Sequence, residues 1–350
     1  MVVNAVDALP DWRAVPLPWQ TSLWQRAGTW LQSGRLPHAL MLTGVEGSGK
    51  QLFASAFAAL ALCRSPEIGR ACGHCPSCRQ YAAGGHPDYH YLTLAVEKSA
   101  ILVDQIRELC ATLALTSLHG GRKLAVLSPA DAMNTNAANS LLKTLEEPAP
   151  GTLLILVTAH PARLPATIRS RCQSLSMTAP ATQMALDWLN GIESRADWPA
   201  LLGIAGGGPL FALQLSGVSV VRERLVLFQR LLDLRANKLN PLQCAGELSR
   251  EPLPLVLRML QTWTMDLVRL GTAACTDPPA LINADARALL QSALVGLNLR
   301  ALHAYLGRLN RATALAATPV NAQLLLEDLL LQWAEGLDSL NNTPLAAAGG

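Results

Sequence analysis

A glycine loop set between a short apolar run and an alanine-rich stretch limits what this chain can fold into more than any other feature. Ala39-Leu-Met-Leu-Thr43 leads into Gly44-Val-Glu-Gly-Ser-Gly-Lys50, and Ala/Leu/Phe-rich sequence continues to Leu62. Strand, loop and helix in that order make a phosphate cradle. Backbone N–H groups and the helix N-terminus face an anion, and the lysine reaches the terminal phosphates. Such a unit needs a sheet around it, and strand composition recurs at 89–94, 123–127, 153–157 and 173–177. Helical apolar spacing falls between these runs, at 103–115, 136–145 and 164–169. Continuously apolar strands alternating with helices predict an α/β module, a parallel sheet with helices on both faces.

Near residue 179 the pattern changes. The stretch 179–218 reads as a small helical unit, and Leu-rich amphipathic segments follow at 222–234, 254–270, 286–312 and 321–337. The expected organisation is therefore an α/β domain over 1–178, a helical unit over 179–218, an all-helical domain over 219–340, and a frayed tail over 341–350. A chain of 350 residues has room for this. It is 50% hydrophobic and 15% charged, against about 25% charged in an average soluble domain, which excludes disorder as its main state. So few charges also suggest that partner subunits cover some apolar surface. The net charge of +3 is spread over the chain with no basic block, so charge does not announce a nucleic-acid binder.

The first residues lack a basic and then apolar leader, and a cytoplasmic location is expected. The longest uncharged stretch, 198–221, is interrupted by Gly203, Gly206, Gly207, Gly208 and Pro209. It reads as two short helices around a turn, not as a membrane span. Charge alternations such as Arg222-Glu-Arg224 read as solvated helix faces. Trp12, Trp19, Trp24 and Trp30 are expected beneath the sheet rather than stacked on bases.

The cradle lacks what hydrolysis requires. The position after Lys50 should be Ser or Thr, whose hydroxyl ligates Mg²⁺, and it is Gln51. An acidic residue should end a neighbouring strand to hold the metal and orient water. The run 123–127 instead leads into Ser128-Pro129-Ala130, with Asp131 too far along. We expect weak nucleotide binding by Gly44, Gly47, Gly49, Lys50 and the degenerate Gln51, with no ATP hydrolysis.

Cys63-x8-Cys72-x2-Cys75-x2-Cys78 places four thiols within sixteen residues, with Gly69, Gly73 and Pro76 between them. Two overlapping Cys-x2-Cys steps bring thiolates around a tetrahedral ion, and with all four ligands committed the expectation is a closed, structural zinc site. A redox dithiol or disulfides are the alternative, and His74 is a substitute ligand within the knuckle. Cys110, Cys172, Cys244 and Cys275 are scattered and read as buried or neutral thiols.

Several further runs belong together: Leu36-Pro-His-Ala-Leu40, Gly85-His-Pro-Asp88, Val103-Asp-Gln-Ile-Arg-Glu108 and Asp131-Ala-Met-Asn134. The set continues with Ala138-Asn-Ser-Leu-Leu-Lys-Thr-Leu-Glu-Glu-Pro148, Ile168-Arg-Ser-Arg-Cys172 and the helical 321–333. With the glycine loop and the cysteine knuckle, they resemble the AAA+ clamp-loader subunits of bacterial DNA polymerase III, densely in the first half of the chain. The Ser-Pro-Ala-Asp replacement favours a non-hydrolysing stator over its ATP-hydrolysing relatives.

The resemblance implies an AAA+ P-loop module, a helical lid and a collar domain. It implies clamp-loader ATPase subunits and a delta subunit as partners in a five-subunit ring, which meets the sliding clamp and primed DNA as an assembly and no membrane. It also implies that Arg171, flanked by Ser170 and Cys172, acts in trans as an arginine finger on ATP held by a neighbour. By position alone, an arginine there more commonly pairs with a local carboxylate. Thr158 matches the family's polar sensing position, and Leu210 stands where active relatives carry a sensing arginine. Two rivals remain open: an active AAA+ ATPase with a Gln-tolerant loop, and a zinc-dependent nucleic-acid-binding module.

Overall fold

The computed structural model of the chain describes residue 13, residues 15–335 and residue 337, apart from 95–97, 99, 218, 273–279, 317 and 319. Trp12, Cys275 and the tail 341–350 lie outside the described residues. Among the described residues the chain forms two compact units, one of residues up to 194 with 205–214, the other of 195–204 with those from 215 onward. Residues 179–218 are shared between the two.

The first unit is built on five parallel strands: β1 (Ala39–Gly44), β2 (Tyr89–Leu92), β3 (Lys123–Leu127), β4 (Thr152–Thr158) and β5 (Gln173–Met177). Their order is β2-β3-β4-β1-β5, with Met41 in register with Leu156 on one side and Ser174 on the other. The helices before, between and after them are α1 (Thr21–Gln32), α2 (Lys50–Leu62), α3 (Pro76–Ala82), α4 (Val103–Ala114), α5 (Thr135–Glu146), α6 (Ala166–Arg169) and α7 (Thr182–Ile192). Next in the chain, α8 (Trp198–Ile204) belongs to the second unit, and α9 (Pro209–Leu215), but for its last residue, to the first.

Alternate residues of each strand enter different cores. Leu40, Leu42, Val126, Ile155 and Leu175 pack with Phe53, Phe57 and Trp24 on the side of α1 and α2. Ala39, Met41, Ala125, Leu127 and Leu156 pack with Ile106, Leu109, Leu141 and Leu145 on the side of α4 and α5. Every residue of β3 and β4 is buried, which explains the apolar runs 124–127 and 153–157 inside their polar ends. In α2, Phe53 and Phe57 stack one turn apart at 6.2 Å, and Trp24 meets Phe53 edge-on at 5.3 Å. Trp24 therefore packs beneath the sheet as expected. Asn134 caps α5 by accepting the Ala137 N–H at 2.8 Å.

The second unit is helical, with α8 joined by α10 (Val220–Arg235), α11 (Pro241–Leu248), α12 (Leu253–Thr272), α13 (Arg287–Leu294), α14 (Leu299–Leu315) and α15 (Ala322–Glu335). Trp198, Phe228, Trp263 and Trp333 are buried at its centre, and Trp333 Nε1 donates to Leu231 O at 2.8 Å. The run 286–312, expected as one segment, is two helices. Gly296 takes a φ of +77° between them, and Asn298 caps α14 by accepting the Arg300 N–H at 2.9 Å. Arg224 does not lie on a solvated face. It is fully buried on the inner side of α10, donating to Asn283 Oδ1 at 2.8 Å and paired with Asp285. Asp266, also fully buried, accepts the Asn283 N–H at 2.7 Å and so fixes the same segment. A charged side chain enters this core because Asn283 is buried with it and the half-exposed Asp285 meets its guanidinium at the rim. No described helix is by itself long and apolar enough to cross a membrane.

Candidate functional site

The glycine loop spans the C-terminal end of β1 and the start of α2. Gly47 and Gly49 have φ of +73° and +84°, values that side chains disfavour. Lys50 is buried, and its Nζ donates to the loop's own carbonyls, Gly44 O at 2.9 Å and Val45 O at 2.7 Å. Burial pulls the ammonium below its ordinary pKa, and the carboxylates of Glu46 and Asp131 oppose that shift. Gln51 turns outward to donate to Tyr91 OH at 2.6 Å. Ser48 is fully buried and its Oγ has no partner among the described residues.

Two neighbours of the loop were not legible in sequence. Gln20, fully buried just before α1, donates through Nε2 to Ser48 O at 3.1 Å and Gly49 O at 3.0 Å, and Trp19 Nε1 adds a bond to Ser48 O at 2.9 Å. The start of α9 closes on the loop from another side. Leu210 N donates to Gly47 O at 3.0 Å, and a Cβ at Gly47 would run into Phe211. Leu210 is buried.

Ser128 and Pro129 follow β3 as the sequence predicts, but Asp131 is nearer the site than its place in the chain suggests. A turn of 3-10 helix over Ala130–Ala132 folds it back, bringing its carboxylate into electrostatic reach of Lys50. That carboxylate is already engaged. Thr158 Oγ1 donates to Asp131 Oδ1 at 2.6 Å while accepting the His160 N–H at 2.9 Å, and Arg163 lies 4.0 Å from Oδ2.

Arg171 lies between α6 and β5 at the surface, about a third exposed. Its Nη2 is 2.6 Å from Glu146 Oε1, and its Nη1 donates to Thr167 O at 3.0 Å. Ser170 Oγ also donates to Thr167 O, at 3.1 Å, and Cys172 is buried, which raises its thiol pKa to about 11.

The four knuckle cysteines come together. Their sulfurs lie within 4.8 Å of one another, with 3.6 Å between Cys63 and Cys72, 4.0 Å between Cys63 and Cys75, and 3.9 Å between Cys72 and Cys78. A tetrahedral ion with Zn–S of ~2.3 Å requires S···S separations of about 3.8 Å, so the cluster fits such an ion. Backbone N–H groups of Cys72, Cys75 and Cys78 point at sulfurs at 3.3–3.4 Å, where they stabilise negative charge on a thiolate. Burial opposes ionisation of Cys75, but the N–H groups of Cys78 and Arg64 and the neighbouring thiols outweigh it and bring the thiol down to about 6. His74 is outside the cluster. It is exposed, with Nδ1 against Cys72 O at 3.0 Å.

Comparison with known proteins agrees with these motifs. Residues 19–181 match the family model "DNA polymerase III, delta subunit", and 220–335 match "DNA polymerase III, delta subunit, C terminal". The DNA polymerase III subunit delta′ of Pseudomonas aeruginosa is 37% identical over 91% of this chain and 97% of its own length. That of Escherichia coli is 33% identical over 90% and 94%. Among solved structures, a gamma-subunit-related protein of Thermotoga maritima superposes loosely, with a TM-score of 0.43 at 16% identity over 89% of this chain and 98% of that one. Similarity at this level, running through both the glycine-loop unit and the helical unit, shows that the chain belongs to the delta′ subunit family of DNA polymerase III.

Proposed function

We propose that this chain is a non-hydrolysing stator of the DNA polymerase III clamp loader, which acts at a neighbour's ATP site rather than at its own. The observation that carries the reading is Lys50. Its ammonium is spent on Gly44 O and Val45 O while Ser128 and Pro129 stand where Mg²⁺ would need carboxylates. Nucleotide binding through Lys50 and the loop amides would be weak, because Lys50 must first give up two hydrogen bonds in a buried setting.

The chain's useful cation would then be Arg171, at the surface at the edge of the first unit. Placed against ATP on an adjacent ATPase subunit, its planar fork would neutralise charge developing on the γ-phosphate, a role worth ~10³–10⁵ in rate in well-studied phosphoryl transfer. The ATPase subunits, a delta subunit and this chain would form the five-membered ring that loads the sliding clamp onto primed DNA. The four cysteines would hold a structural zinc ion, whose contribution is to tie residues 63–78 into one rigid knuckle; thiolate ligation of this kind fits the reducing cytoplasm.

Arg171→Ala should leave the isolated chain folded and reduce clamp- and DNA-stimulated ATP turnover of the reconstituted complex by tenfold or more. Unchanged turnover would refute the finger role. One observation favours the rival, an active ATPase: Asp131 is within electrostatic reach of Lys50. Its engagement with Thr158 argues against it serving as a metal ligand.

A further inference from the structure

We infer that Glu146 is a positioning residue that parks the Arg171 guanidinium on its own chain, so that a phosphate in the neighbouring pocket must compete with a carboxylate for it. The inference rests on the finger reading above and concerns how that finger is held and released.

Glu146 is the last residue of α5, and Arg171 follows α6. Both terminal nitrogens of the guanidinium are taken up inside the chain: Nη2 by Glu146 Oε1 at 2.6 Å, Nη1 by Thr167 O at 3.0 Å. The two acceptors differ in kind. Thr167 O is a neutral carbonyl in the short helix α6, and it can keep its bond while the other nitrogen reaches outward. The Glu146 carboxylate is an anion, and a guanidinium that turns toward a phosphate leaves it uncompensated beside a second anion. The engaged state is therefore opposed by the loss of one charge-assisted bond and by repulsion between carboxylate and phosphate.

The opposition is small enough to be overcome. The side chains of Arg171 and Glu146 are 36% and 49% exposed, and pairs this exposed shift an equilibrium by only about 1.4- to fivefold. Glu146 thus sets a threshold, below which the finger stays parked and above which assembly on clamp and DNA delivers it.

The test uses the reconstituted complex carrying wild-type chain, Glu146→Ala, Glu146→Gln, Glu146→Asp, Arg171→Ala or the double variant Glu146→Ala/Arg171→Ala. Removing the carboxylate should raise ATP turnover without clamp or DNA about two- to fivefold and lower the KM for ATP, with stimulated kcat little changed. Glu146→Asp, which keeps the charge, should lie near wild type, and the double variant should match Arg171→Ala. Basal turnover that is unchanged or lowered in both Glu146→Ala and Glu146→Gln, while Arg171→Ala still abolishes stimulation, would overturn the parking role and leave the finger standing. An Arg171→Ala complex with full stimulation would instead sink the finger reading, and this inference with it.

Discussion

At Gly208 a Cβ would collide with the carbonyl of Glu46, and at Gly47 it would collide with Phe211. Two glycines facing each other's segments allow the glycine loop and the start of α9 to touch backbone to backbone. Gly208→Ala should therefore destabilise the chain by about 1–3 kcal/mol, seen as a lower urea midpoint; an unchanged midpoint would show that the contact yields freely.

His86 makes a second residue-scale argument. It is buried, its Nδ1 accepts the Asp88 N–H at 3.1 Å, and its Nε2 faces Ser77 Oγ at 2.9 Å. The Ser77 hydroxyl is 2.6 Å from Leu62 O, its acceptor, so the ring's single proton belongs on Nε2. A second proton on Nδ1 would point at an N–H. Burial lowers the His86 pKa below its ordinary 6.5, more than Asp88 raises it, and burial acts on His90 in the same direction. As pH falls below about 6.5 the unfolded chain takes the proton first, so stability is complete above that pH and declines below it. The urea midpoint should be flat above pH 7 and fall from 6.5 toward 5, with a shallower slope in His86→Gln. Metal loss at low pH would act on both proteins alike, so the difference between them isolates the histidine.

Among the elements, the turn Glu67–Arg70 shows a local choice that backbone preference opposes. Glu67 and Arg70 exchange backbone hydrogen bonds at 2.9 and 2.8 Å around Ile68 and Gly69, whose φ are +47° and +71°. This two-residue turn wants Asn-Gly, and Ile68 is fully exposed besides, so no packing recommends it. Ile68→Asn should raise stability by about 1 kcal/mol, read as a higher thermal midpoint; a lower one would contradict the strain. The strands of the sheet could be read from sequence to within a residue or two: β1, β3 and β4 because residues buried on both faces write themselves as apolar runs, the less buried β2 and β5 from their strand composition. The break at Gly296 was hidden inside a Leu-rich stretch whose spacing suits one helix or two. α3 is seven residues long and is capped by Cys75, whose sulfur accepts the Cys78 N–H; it exists because of the knuckle, not because of any periodicity.

For the molecule as a whole, motifs carried by one stretch of chain were legible and those assembled from several were not. The glycine loop and the four cysteines each lie in one segment. Gln20, Asp131 and the start of α9 reach the glycine loop, and Glu146 reaches Arg171, only through the tertiary fold, which spacing along the chain does not show. The knuckle is bound to the sheet unit by Ser77 Oγ on Leu62 O at 2.6 Å and by Tyr81 OH on Ser55 O at 2.8 Å. Chain purified without chelator should hold about one zinc per molecule, and stripping the metal should lower the thermal midpoint without unfolding the helical unit. Absence of stoichiometric zinc would remove that assignment.

The most direct test of a silent site is ATP turnover by the purified chain alone, with Mg²⁺, beside its Lys50→Ala variant. The arrangement of Lys50, Gln51 and Ser128-Pro129 predicts no hydrolysis above background in either. Sustained hydrolysis by the wild-type chain that disappears in Lys50→Ala would contradict it.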